Sequence, residues 1–260
     1  MAEKIWRLHL GGGQLVATAI HDGHELRPEV AKVMALSDAE RLREEDPFTG
    51  RWTAIAPTRV VGTRSRFEVD LNRAREKAVY RVPDDAWGLS VWKVKPSDGF
   101  VRRSLAEYDA FYASMRDLFT ELTCAYGQFV VYDLHSYNHR RAGPDGPPAD
   151  EQGHPQVNIG TGTMDRRRWA PVVDRFIAEL GSFDFPGGRL DVRENVKFQG
   201  GNFVRWLHEA FPTSGCGLAI EVKKFFMDEW AGVQDEQLIV AIREALRATI
   251  PGVLEELSRL

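Results

Sequence analysis

The chain has 260 residues, of which 43% are hydrophobic and 28% charged. That balance builds a packed core and excludes a chain dominated by disorder, and no window approaches the ~18 uninterrupted apolar residues of a membrane-spanning helix. The net charge of −4, from 34 basic and 38 acidic residues, argues against a nucleic-acid binder, because phosphate contacts favour a basic surface.

The two cysteines, Cys124 and Cys216, cannot make a disulfide framework. Residues 1–7 lack the apolar stretch and cleavage site of a secretory signal, so a reducing cytoplasm is the expected compartment. No repeat, heptad run or long linker divides the chain, which reads as one domain, residues 1–260.

Taken in order, residues 6–10 and 15–20 are short β-prone runs around Gly11-Gly12-Gly13, and the pattern predicts two strands joined by a glycine turn. These glycines lack the spacing and the following helix of a dinucleotide loop. Residues 28–45 place Val30, Val33, Met34 and Leu42 at helical spacing behind Pro28. The clearest helix is 104–124, where Leu105, Tyr108, Phe111, Met115, Leu118 and Leu122 form one apolar stripe. Ser104 and Glu107 read as its capping box and Gly127 as its stop. A buried strand follows at 129–134. Residues 138–156 are Gly/Pro-rich and too long for a simple connection, so a mobile surface loop or an active-site lid is expected there. A helix over 165–180 ends at Gly181, an apolar strand over 217–222 carries Glu221, and a last helix over 235–257 bends or breaks before Pro251. Strands interleaved with helices predict an α/β three-layer sandwich.

Several segments carry chemistry. His21 and His135 each stand at the C-terminal end of an apolar strand, where open α/β sheets place their sites. Neutral imidazole is an apt metal ligand, although either residue alone also fits an ordinary strand-end histidine. Asp133 lies close enough in sequence to orient a ligand. The run Glu44-Glu45-Asp46 fits a solvated helix end, or one of its acids completes a metal shell. Arg64, Arg66, Asn72 and Arg73 suit an anionic, amide-bearing substrate, or the arginines pair with Glu68 and Asp70. Glu221 in an apolar strand is expected to have a raised pKa, which suits a general base; the plainer reading pairs it with Lys223 or Lys224. There is no Gly-x-Ser-x-Gly elbow, no P-loop and no catalytic cysteine signature.

Four blocks in order resemble the N-formylglutamate amidohydrolase family, zinc-dependent hydrolases related to zinc carboxypeptidases and aspartoacylases. They are Ala19-Ile20-His21-Asp22-Gly23, the run from Ser65 to Arg73, Asp133-Leu134-His135-Ser136, and the run from Ile220 to Glu229. Phe198-Gln199-Gly200-Gly201, with Arg205 four residues on, adds weaker support. The resemblance implies a zinc-carboxypeptidase-like fold, a mixed central sheet with helices on both faces, and one Zn²⁺ per chain. It implies His21 and His135 as ligands, with Asp46 as the third and Glu45 its alternative. Related zinc carboxypeptidases place a Glu three residues after the first His, whereas here position 24 is His and the Glu is Glu25, so His24 and Glu25 also stay open. Glu221 would be the general base, Arg64 or Arg66 would face the tetrahedral oxyanion, and Asn72 with Arg73 would grip the substrate carboxylate.

The activity implied is hydrolysis of a small-molecule N-acyl amino acid, N-formyl-L-glutamate in particular. Two alternatives are a carboxypeptidase-like metallohydrolase acting on a peptide and a non-catalytic binding protein that keeps the fold. Loss of Glu221 or of either metal histidine would favour the latter, and all three are present.

Overall fold

The structure is a computed structural model that describes residues 4–260. The first three residues of the N-terminal stretch read above lie outside the described residues.

Three parallel strands form the centre of a seven-stranded mixed sheet: β2 (Leu15–Ala19), β4 (Phe129–Tyr137) and β7 (Gly215–Lys223). Every residue of β2 and β4 is buried, as expected for parallel strands covered on both faces, which read as continuous apolar runs. Beyond β2 lies β3 (Thr58–Gly62), parallel to it, and β1 (Trp6–His9) closes that edge antiparallel to β3. On the other side β5 (Val157–Gly160) runs antiparallel to β7, and β6 (Val192–Glu194) lies parallel to β5. A separate hairpin pairs β8 (Met227–Asp228) with β9 (Val233–Gln234).

Alternation along the strands divides the core. Val16, Phe129 and Val131 pack on one face against α4 (Asp98–Tyr126) and α6 (Asn202–Ala210). Ala17, Val130 and Tyr132 pack on the other against α5 (Ala170–Ser182), α7 (Glu236–Ala248) and α8 (Ile250–Leu257). The three-layer sandwich with a mixed sheet is thus the observed architecture. Three short helices, α1 (Pro28–Val33), α2 (Asp38–Glu44) and α3 (Thr49–Trp52), lie between β2 and β3 in the chain. No helix among the described residues is long and apolar enough to cross a membrane.

Four local expectations are corrected. β1 and β2 do not pair across the glycines, because β3 lies between them. The Thr58 hydroxyl, at the start of β3, bonds Gly11 N at 3.1 Å and Gly11 O at 2.8 Å, and a Cβ on Gly11 would sit 2.4 Å from Pro57 O. The glycine segment therefore packs on the entry to β3. The 28–45 helix is two helices, since Met34 is extended and Ser37 with Glu40 forms a capping box that starts α2. α4 begins earlier than read, capped by Ser97; Ser104 is buried within it and accepts from Arg27 Nη2 at 2.7 Å. α5 starts at Ala170 and continues through Gly181 to Ser182. The break before Pro251 is present, with the proline in the first turn of α8.

Candidate active site

The parallel strands deliver their C-terminal ends to one place. His135 in β4 and Glu221 in β7 are register partners, and His21 stands two residues past the end of β2. Asp46 lies just beyond α2, and its backbone N–H donates to His21 O at 3.0 Å. That bond brings the acid back to the strand end.

The two imidazole rings lie 5.1 Å apart, centroid to centroid. Both turn Nδ1 toward one carboxylate oxygen, Asp46 Oδ2, which is 3.4 Å from His21 and 2.9 Å from His135. Both Nε2 atoms face a further carboxylate. His21 meets Asp70 Oδ1 at 2.8 Å and His135 meets Asp133 Oδ2 at 3.0 Å. Each of those acids is itself held. Thr18 Oγ1 donates to Asp133 Oδ1 at 2.6 Å. Asp70 accepts from Arg66 Nη2 at 2.9 Å, from Asn72 N at 2.8 Å, and from the Tyr80 hydroxyl.

This donor set fits a divalent metal. One atom each from His21, Asp46 and His135 lies within 4.8 Å of the others, and all three residues are buried. Of the two edges to Asp46, the 3.4 Å one matches and the 2.9 Å one falls short of the ~3.4 Å ligand separation of a tetrahedral cation with ~2.1 Å bonds. With a metal bound, the carboxylates on the far ring nitrogens would accept the Nε2 protons and leave Nδ1 as the ligating lone pair.

Electrostatics follow from burial and these contacts. Burial acts to raise the Asp46 pKa, but hydrogen bonds and charge from His135 and His21 outweigh it and hold Asp46 well below the usual carboxylate range. Burial likewise opposes ionisation of Asp70, and Arg66, then His21, overcome it. His135 would be lowered by burial and is instead raised well above its ordinary value by Asp133 and Glu221. Glu221 is pushed up to about 7, by burial first; Asp46 and Asp133 add to the shift and His135 opposes it.

His21, Asp46, Arg66, Asn72, Arg73, His135 and Glu221 all line one cavity of about 310 Å³. The other candidates are not brought there. Arg64 turns away, its Nε 3.6 Å from Glu68, and its backbone bridges to Glu25. The Glu45 carboxylate is occupied by the Ser65 hydroxyl and by His24 Nδ1 at 2.5 Å, and His24 is held further by Arg41. Glu25 is directed at Arg7, 3.9 Å away on the surface. Neither lysine pairs with Glu221. Lys223 Nζ donates to His154 O at 2.8 Å, and Lys224 Nζ donates to Arg43 O at 2.6 Å and Glu45 O at 2.7 Å.

Two contacts were not read from the sequence. Asp70 fell inside the recognised Arg-Asn block, but its bond to His21 spans 49 positions. Gly201 makes the second: its Cβ would stand 2.2 Å from Asn72 Oδ1. Without that Cβ, Asn72 reaches the start of α6 and accepts from Phe203 N at 2.9 Å. With Oδ1 committed, the amide nitrogen is the end left for a ligand. The 138–156 loop contributes Asn138 and Arg141 to the cavity wall. Glu229 anchors it by accepting from His139 N and Arg140 N, both at 2.9 Å, and Arg141 makes a two-point pair with Glu44 at 3.2 and 3.1 Å.

The sequence profile of the N-formylglutamate amidohydrolase family matches residues 13–226. The chain belongs to that family. It is accordingly a hydrolase that acts on a linear amide. The fold is shared with the crystal structure of an N-formylglutamate amidohydrolase from Ralstonia eutropha, at 16% identity and a TM-score of 0.75, covering 98% of this chain and 99% of that one. It is shared also with a gene product of Agrobacterium tumefaciens, at 17% identity and a TM-score of 0.67, covering 98% and 97%. No match is found among the curated proteins. The cavity lies at the C-terminal ends of the parallel strands, where open α/β sheets bind their ligands.

Proposed function

We propose that this member of the family is a zinc-dependent amidohydrolase that converts N-formyl-L-glutamate to formate and L-glutamate. The observation that carries the reading is the pairing of Glu221 with His135 in one register, inside a cavity whose wall also holds His21 and Asp46.

In this reading His21, Asp46 and His135 hold one zinc ion. When bound, the cation supplies a Lewis acid that polarises a carbonyl and acidifies water. Glu221 takes the proton of the attacking water and returns it to the leaving nitrogen, so the amine departs neutral. A carboxyl pushed up to about 7 can perform both transfers near neutrality. The Arg66 side chain is 12% exposed and is aimed by its contacts with Asp70 at 2.9 and 3.3 Å, which suits a fixed cation beside the oxyanion. Arg73 and the amide nitrogen of Asn72 grip the substrate carboxylate.

The decisive experiment is an assay of formate release from N-formyl-L-glutamate, with metal content measured on the same preparation. Hydrolysis that tracks zinc occupancy is the expected result. Fully zinc-loaded, folded protein that releases no formate overturns the reading.

A further inference from the structure

The cavity that contains Glu221 does not end at Asn72. A second chamber of about 550 Å³ adjoins it, and Asn72, Arg73, Trp87, Gly200 and Gly201 line both. Glu221 and the two histidines line only the inner chamber. Lys77, Asp84, Asp85 and Arg205 line only the outer one. Trp87 holds a left-handed backbone at φ 54° and lies under the guanidinium groups of Arg66 and Arg73, at 4.8 and 5.6 Å, so the dividing wall has an aromatic face.

The outer chamber carries a surplus of positive charge. Asp85 is committed: it accepts from Arg81 N at 2.9 Å and Val82 N at 3.3 Å, and it faces Lys77 at 3.8 Å. Asp84 is the other acid there. Against it stand two arginines. The carboxylate nearest Arg73 is Asp70 at 3.8 Å, which is already shared among Arg66, His21 and Tyr80. Arg205 is exposed; its backbone N–H goes to Gly201 O, and its guanidinium has no hydrogen bond or ion pair among the described residues. All five of its donors are unspent. Arg141, on the inner side, already commits both terminal nitrogens to Glu44.

The covalent structure of an acyl amino acid then sets the direction of its side chain. Nitrogen, carboxylate and side chain diverge from one Cα. With the amide turned inward to Glu221 and the α-carboxylate at Asn72 and Arg73 on the dividing wall, the outer chamber adjoins the Cα and is open to the side chain. We infer that the outer chamber is the side-chain subsite of the proposed reaction and that Arg205 is the residue that reads the negative charge of the side chain there. This rests on the proposed placement of the α-carboxylate at Asn72 and Arg73.

The test compares N-formyl-L-glutamate with its neutral isostere N-formyl-L-glutamine in the zinc-loaded wild type, Arg205→Gln and Arg205→Lys. The wild type should prefer the glutamate compound. Arg205→Gln should lower its kcat/KM by about 30-fold, through KM, the loss of one charge-assisted contact. It should leave the glutamine compound within about twofold, because that substrate makes no ion pair to lose. Arg205→Lys should recover part of the preference. A wild type indifferent to the side-chain charge, or an Arg205→Gln that slows both compounds equally, overturns the inference. If neither compound is hydrolysed, the amide-cleavage reading fails separately, and calorimetric titration with L-glutamate and L-glutamine decides the subsite. A glutamate preference lost in Arg205→Gln supports it, and equal binding by both proteins overturns it.

Discussion

His135 and Glu221 sit opposite each other on adjacent parallel strands, β4 and β7. Parallel neighbours lie ~4.8 Å apart and alternate faces with the same period, so the backbone ladder, rather than a loop, sets the distance between a candidate ligand and a candidate base. The two groups feel each other electrostatically: the charge of Glu221 raises the His135 pKa, and the charge of His135 opposes the rise at Glu221.

Replacing that carboxyl by its amide isostere therefore isolates proton transfer. Glu221→Gln is expected to lower kcat by about 10²- to 10⁴-fold, the range typical of a lost general base, while zinc content stays at the wild-type value. Steady-state kinetics and elemental analysis on the same sample check both halves. A Gln variant at the wild-type rate removes Glu221 from the mechanism.

The pH profile follows from the same burial. Glu221 works as a base only when ionised, and burial pushes its pKa up to about 7. Below that value the carboxyl is protonated and cannot accept the water proton, so kcat/KM should rise with pH and level off. A bound cation beside His135 favours the ionised form and moves the midpoint lower. The rising limb should accordingly be centred at about 7 or below, and it should vanish in Glu221→Gln. A profile that falls from pH 5 upward contradicts this assignment.

Asp133 offers a test of how the ligands are oriented. It bonds His135 on the nitrogen opposite Asp46, and Thr18 fixes its other oxygen. Asp133→Asn keeps the shape and removes the charge that holds the ring. Partners of this kind typically contribute about 10- to 100-fold to metal affinity. Competition with a chelator should show zinc bound that much more weakly. Equal zinc affinity would show that the ring is oriented without Asp133.

The parts of this site that were legible in the sequence were those made by short-range pattern. An apolar run ending in His, as at Ile20-His21 and Leu134-His135, announces a strand end, and Glu221 stands out because its neighbours Ile220 and Val222 are apolar. Choices between close neighbours in sequence were not legible. Arg64 and Arg66 leave one turn in different directions, one to Glu68 and one to Asp70. Glu45 ends α2 with its carboxylate on Ser65 and His24, and the next residue reaches the histidines. Non-local pairing was equally hidden. β3 displaced the expected hairpin between β1 and β2 because strand adjacency is decided by the sheet, not by the loop. The bond from Asp70 to His21 joins residues with no shared local pattern.

Away from the cavity, His208 couples stability to pH. It is buried on α6, and Gly217 N donates to its Nε2 at 3.0 Å, which leaves Nδ1–H to face the Thr163 hydroxyl at 3.0 Å. Burial pushes its pKa down from 6.5 to about 4. In the unfolded chain the ring titrates at its ordinary value, so between those two pH values unfolding takes up a proton. The stabilisation that His208 contributes is complete above pH 6.5 and is lost as pH falls toward about 4. Protonation would also set a donor against the Gly217 N–H. His208→Gln removes the titration. Denaturant unfolding should find this variant less stable than wild type at pH 7, and the gap should shrink by about 2 kcal/mol at pH 5. Other titrating groups, Glu221 among them, act alike in both proteins and cancel in the difference. A gap that stays constant with pH would show that His208 does not hold its neutral form in the folded protein.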